Sequence, residues 1–165
     1  MNESLKMGAV YEYELVRDGV VYDRWTEKNL MPLEGLNHVL GVTLKGVTQV
    51  TNWYALVYEG NYTPVNGDTA ATFPASCTET TTYSGATRVA FTPGAVAGGT
   101  VNNSASRAEF TFTADKTIYG GAIVSASAKG AVSGVLLSAV KFASPKSPAT
   151  GDILRVTAGF TLVSA

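Results

Sequence analysis

Residues 10–16 alternate strictly, placing Tyr11, Tyr13 and Leu15 on one side of an extended chain and Glu12 and Glu14 on the other. After Asp18-Gly19 comes a second extended run, residues 20–25. Asp-Gly readily takes the positive φ angles of a type I′ turn, so these two runs predict a β-hairpin. The period then changes. In PLEGLNHVL (32–40), Leu33, Leu36 and Leu40 recur at helical spacing, with Pro32 at the first helical position and Gly41 as a stop. One short helix is predicted there, its leucine stripe against the edge of a sheet.

The next run, Trp53-Tyr54-Ala55-Leu56-Val57-Tyr58, is apolar without interruption and too short for a helix. It predicts a central strand covered on both faces. Further strands are predicted at 109–113, 117–125, 135–142 and 153–162. In the last of these, Leu154, Val156, Ala158, Phe160 and Leu162 share one face. Phe110, Phe112, Leu154, Val156, Phe160 and Trp53 form the predicted core. Two long stretches rich in turn formers separate these runs: 59–73, with Pro64, Asn66-Gly67 and Asp68, and 92–106, with Pro93-Gly94 and Gly98-Gly99. Both read as loops long enough to carry function. No heptads and no repeat at solenoid or propeller periods interrupt the chain. The expectation is therefore one all-β domain over residues 1–165, an antiparallel β-sandwich of jelly-roll-like form with one short helix. Residues 1–7, with only Leu5 and two methionines as apolar anchors, are expected to form a mobile arm.

Composition narrows the function. Charged residues make up only 15% of the chain, against roughly 25% in an average globular domain, and the net charge is −1. Lysines and arginines are scattered singly, so no basic stripe offers itself to phosphates and nucleic acid is not an expected partner. No run of about 18 apolar residues occurs, so no membrane partner is expected either. The start MNESLKMGAVYEYELV has neither a basic leader nor an apolar signal core, which predicts a cytoplasmically made product. With mean hydropathy of +0.12, the surface must be built largely of Thr, Ser, Gly, Ala and Asn. Two readings fit such a surface: it is covered in an assembly, or small hydroxylated residues simply coat a sandwich.

Reactive groups are scarce. His38 is the single imidazole, so any Ser-His-Asp or Cys-His scheme must pass through it, and it is predicted to lie opposite the leucine stripe, facing solvent. Cys77 is the single cysteine, with no internal disulfide partner and no neighbouring cation to activate it. Asp68, Asp115 and Asp152 stand alone in predicted turns, with no calcium-loop spacing. Trp25, Tyr58, Tyr62 and Tyr83 are the aromatics that could stack on sugar rings, against the commoner role of packing a sheet. No catalytic residue, metal site or cofactor is expected, and the chain is not expected to be an enzyme.

From Asn52-Trp53-Tyr54 onward the ordered set EGNYTP (59–64), DTAATF (68–73), YSGATR (83–88), FTPG (91–94), VNNSAS (101–106), AEFTF (108–112), IYGGAIVS (118–125) and Gly151-Asp152 resembles a family of small structural proteins of tailed bacteriophages. The resemblance covers about the last two thirds of the chain. It departs from the family at Arg88-Val89-Ala90-Phe91, where a proline and a tryptophan often follow the arginine. The resemblance implies a virion protein made in the host cytoplasm, a capsid decoration or cement protein whose partner is the major capsid protein and which forms a homo-oligomer on the capsid surface. A tail- or fibre-associated module binding a receptor or glycan is the alternative. On the capsid reading the contacts are expected on the arm and the two long loops, with Leu5, Met7, Tyr62, Pro64, Phe73, Pro93, Asn102 and Asn103 as candidates.

Overall fold

The alternating segments become the strands their pattern implies. The computed structural model describes residues 6–163. Strands β1 (Lys6–Arg17) and β2 (Val20–Lys28) form the expected hairpin, with Tyr13 opposite Trp25 and Glu14 opposite Arg24. Asp18 and Gly19 have φ of 50° and 79°, the left-handed pair that a type I′ turn needs. On its other side β1 runs antiparallel to β9 (Ile153–Val163), from Lys6 opposite Val163 to Val16 opposite Ile153. Lys6 and Met7 therefore belong to a strand and not to an arm, while Leu5 and the rest of the expected arm lie outside the described residues.

The far edge of β9 receives two short strands in line, β5 (Thr100–Asn102) and β6 (Ala108–Thr111). Where one ends and the other has not begun, Asn103 fills the ladder. Its Oδ1 accepts from Ala158 N at 2.8 Å and its Nδ2 donates to Val156 O at 3.1 Å, so the side-chain amide stands in for the missing stretch of backbone. The second sheet has the order β4 (Val89–Phe91), β3 (Trp53–Tyr58), β7 (Ile118–Val124) and β8 (Leu136–Lys146), all antiparallel.

Facing one another, the two sheets enclose Tyr11, Tyr13, Leu15, Val57, Phe110, Phe112, Val140, Leu154, Val156, Ala158 and Phe160. This is the all-β sandwich expected of the sequence, with β3 in the interior of its sheet. Trp53 is half-buried against this core. The jelly-roll part of the expectation is not carried by the strand order: β1–β2, β3–β4 and β7–β8 each join sequence neighbours within one sheet, whereas a double Greek key mostly sends successive strands to opposite sheets.

Because strand side chains alternate, β3 also presents Leu56 and Tyr58 to the opposite face, beside Ala122, Val124, Leu136 and Ala139. Segment 59–73 and the helix after it, α2 (Phe73–Cys77), cover that face with Ala70, Phe73 and Cys77. The sequence pattern missed α2, a helix of little more than one turn that begins at Phe73-Pro74.

Helix α1 (Leu33–Leu44) is longer than expected and lies differently. Pro32 is its N-cap, and the helix ends at Lys45-Gly46, Gly46 taking φ of 69°. Gly41 is interior. A Cβ there would sit 2.9 Å from Val47 Cγ2, so the glycine admits the returning chain instead of stopping the helix. Gly35 abuts the Leu137 backbone carbonyl, and Glu34 Oε2 accepts from Ala70 N and Leu136 N, both at 2.7 Å. These contacts fix the helix against the start of β8 with Leu36 and Val39 on the core, and they turn Leu33 and Leu40 outward. The predicted leucine stripe is thus corrected: only Leu36 of its three members faces inward.

Candidate functional site

At one end of the sandwich the sheets part and leave an apolar cleft of roughly 240 Å³. Met7 enters from β1, Phe160 from β9 and Val101 from β5; Trp53, Phe91 and Pro93 close the opposite wall. The roof is α1 and the chain after it, through His38, Val39, Val42, Thr43, Gln49 and Val50. His38 does not face open solvent as the helical spacing implied. It is half-buried, its ring edge-on to Trp53 with centroids 5.9 Å apart. The wall chemistry is aliphatic and aromatic, with His38, Thr43 and Gln49 as its polar side chains. Such a recess suits an inserted apolar side chain or a short extended segment.

Two of the eight expected contact residues, Met7 and Pro93, line this cleft. The others are dispersed, and two are corrected. Phe73 is 0% exposed because it roofs the outer face of the second sheet, edge-on to Tyr58 and Tyr62. Asn103 is 1% exposed because its amide completes the β9 ladder. Neither side chain can meet a partner in this fold. Tyr62 and Pro64 are half-buried on the covering segment; Tyr62 donates to Asp68 Oδ1 at 2.7 Å, a bond that pushes its phenol up to about 12. Asn102 is exposed on the outer face of the first sheet, beside a depression with Val10, Gly159 and Thr161. Leu5 lies outside the described residues.

The remaining chemistry-bearing groups serve the scaffold. Cys77 is fully buried on the far side of the second sheet, and burial pushes its thiol up, away from the reactive thiolate. Asp152 accepts from Arg17 Nε and Nη2 at 2.7 and 2.8 Å, from Tyr22 Oη at 2.7 Å and from Ala149 N at 2.8 Å. The Arg17 guanidinium holds its carboxyl well below the usual carboxylate range. Asp68 accepts from Tyr62 Oη and Val65 N, so it and Asp152 each cap their own turn, while Asp115 accepts from Thr150 N and Oγ1 and ties its turn to the loop before β9. Tyr58 and Tyr83 are buried, and Trp25 stacks on Tyr13 beneath the Lys146 ammonium. The four aromatics considered for sugar stacking therefore do not share a platform. No three His, Cys, Asp or Glu side chains among the described residues converge as metal ligands.

Sequence reasoning missed a buried ion pair. Arg88, 1% exposed at its side chain, donates from Nε and Nη2 to Glu79 at 2.9 and 2.6 Å, and from Nη1 and Nη2 to the carbonyls of Ala126 and Ala131. It also missed the cleft, whose walls come from segments scattered from Met7 to Phe160 with no local pattern in common. Comparison with protein-family models found no match, and comparison with curated proteins found none either.

Proposed function

We propose that this chain is a bacteriophage virion structural protein, a capsid decoration or cement protein. It binds across subunits of the major capsid protein at the outer surface of the expanded head and stabilises it. The observation that carries the reading is the apolar cleft at the end of a charge-poor sandwich, where Met7 and Pro93 meet Trp53, Phe91 and the α1 roof. A protein that works by surface contact needs a rigid frame and a recess that gains from being covered. The resemblance of the motifs from Asn52-Trp53-Tyr54 to Gly151-Asp152 to phage structural proteins supplies the kind of partner.

The placement of those segments is consistent with such a role. Asp68, Arg88, Asn103, Gly120 and Asp152, all inside the quoted motifs, hold turns, loops and ladders together and so supply the rigid frame. Binding only to the assembled shell stabilises it by mass action, and symmetry multiplies a modest contact over many copies.

The test mixes purified protein with expanded shells that lack it, followed by co-sedimentation and thermal melting of the shells. Saturation at a stoichiometry set by icosahedral symmetry, with a raised shell melting temperature, is the expected result. Copy number per virion gives an independent check: hundreds place the protein on the head, a dozen or fewer on the tail. Binding to tails or host polysaccharide, with none to shells, would replace this reading by a fibre-associated one.

A further inference from the structure

The outward face of α1 carries Leu33, Asn37, Leu40 and Leu44, spaced four, three and four residues apart. On a helix this spacing makes a single straight seam. The three leucines are 50%, 56% and 72% exposed, unusual for large apolar side chains aligned on one helix. Backbone contacts extend the patch at both ends. Leu33 N donates to Asn66 O at 3.0 Å, which brings exposed Val65 beside the first turn, and Val47 folds back onto Gly41 past the last.

We propose that this face pairs with the same face of a second copy of this chain, in a parallel two-fold arrangement that sets Asn37 opposite Asn37 across the axis. The pattern of leucines with one asparagine is that of a two-stranded coiled-coil seam, in which a lone buried Asn fixes register and a two-chain state by bonding to its twin. An antiparallel pairing sets Asn37 against Leu40 and buries the amide without a partner. No seam position from Leu33 to Leu44 is charged, Glu34 is turned inward onto Ala70 N and Leu136 N, and the exposed cation Lys45 follows only after the last turn.

The area decides how strong this pairing is. Fractional exposure of Leu33, Leu40, Leu44, Val47 and Val65 corresponds to about 500 Å² of apolar surface per copy, or about 1,000 Å² for the pair, before any polar rim. That is just under the roughly 1,200 Å² where stable interfaces begin, so the dimer is reversible and concentration-dependent. The inference is independent of the capsid reading.

Sedimentation velocity of the full chain over a concentration series is expected to show a monomer–dimer equilibrium, and Leu40→Glu is expected to weaken it by about tenfold or more. Because Leu40 is exposed, the far-UV circular dichroism and melting temperature of that variant should match those of the parent. Asn37→Cys gives a second reading that does not depend on Leu40→Glu folding, and buried Cys77 leaves the introduced thiol as the reactive one. Mild oxidation should link Asn37→Cys chains into dimers, whereas a control on another face, Thr113→Cys, should stay monomeric. The proposal is overturned by a monomer at every concentration, by a dimer indifferent to Leu40→Glu, or by a trimer. It is also overturned if Leu33→Cys cross-links to Leu44→Cys in mixed samples while Asn37→Cys does not link, the mark of an antiparallel pair.

Discussion

At the scale of single residues, the polar groups that matter most are buried and fully engaged. Asp152 ties the tip of the β1–β2 hairpin to the turn before β9 through Arg17, Tyr22 and Ala149. Its carboxyl titrates lower in the folded chain than in the unfolded one, so its stabilising contribution is complete above about pH 4 and is lost as the pH falls below that toward its folded value. Asp152→Asn should therefore lower stability at pH 7 by roughly 2 kcal/mol, and the gap to the parent should narrow in melts at pH 2 to 3. A gap that stays constant with pH would show that the charge is not what matters. Arg88 makes the complementary case: removing it strands Glu79 in the interior, so Arg88→Met should cost about 3–5 kcal/mol in urea unfolding. Arg88→Met with Glu79→Leu should recover much of that loss, because replacing both partners leaves no buried charge.

At the scale of elements, close approach and face assignment can be tested directly. Gly120 lies where β7 meets β8, and a Cβ there would run into the Tyr58 hydroxyl and the Val140 carbonyl oxygen. Tyr58 Oη donates to Val140 O at 2.9 Å, so neither atom is free to move. Gly120→Ala should cost more than the equivalent change at Gly8, whose added Cβ meets nothing within 4 Å, and comparing the two melting temperatures checks this. Phe160 sits in the core edge-on to Phe91, with ring centroids 6.0 Å apart, and Phe160→Ala should cost about 3–5 kcal/mol. A loss under about 1 kcal/mol would mean that the β9 face is less tightly packed than described.

At the scale of the whole molecule, the distribution of apolar surface separates two roles. One side of α1 roofs the cleft, through His38, Val39 and Val42, and the other carries the exposed stripe of Leu33, Leu40 and Leu44. Exposed rim positions can block the cleft without disturbing the core: Pro93→Asp and Thr43→Arg should keep the parent's melting temperature yet reduce co-sedimentation with expanded shells by about tenfold or more. Unchanged binding by both would move the contact surface elsewhere, the depression beside Asn102 being the next to probe.

What the amino-acid order determined alone was the set of long strands and their inward faces. Strict alternation in β1 and β9, an unbroken apolar run in β3 and Asp-Gly at a turn are local signals, each decided by backbone sterics and a period of two. Short strands lack enough residues to show a period, so β4 and β5 were legible only once β3 and β9 were present to pair with them. Gly98-Gly99 read as turn formers within a loop, and they form the tight turn that lets Ala97 and Thr100 exchange both backbone hydrogen bonds. Tertiary packing likewise decided the fate of Phe73 and the orientation of α1. The outer face of the second sheet is apolar and had to be covered, which drew in the segment expected to be a contact loop. The two glycines and Glu34 of α1 then fixed which helix face lay inward, a choice that spacing of the leucines could not make. Met7 and Pro93 came to line one cleft only when strands far apart in sequence aligned, because a cleft is a property of juxtaposed surfaces and no single segment encodes it.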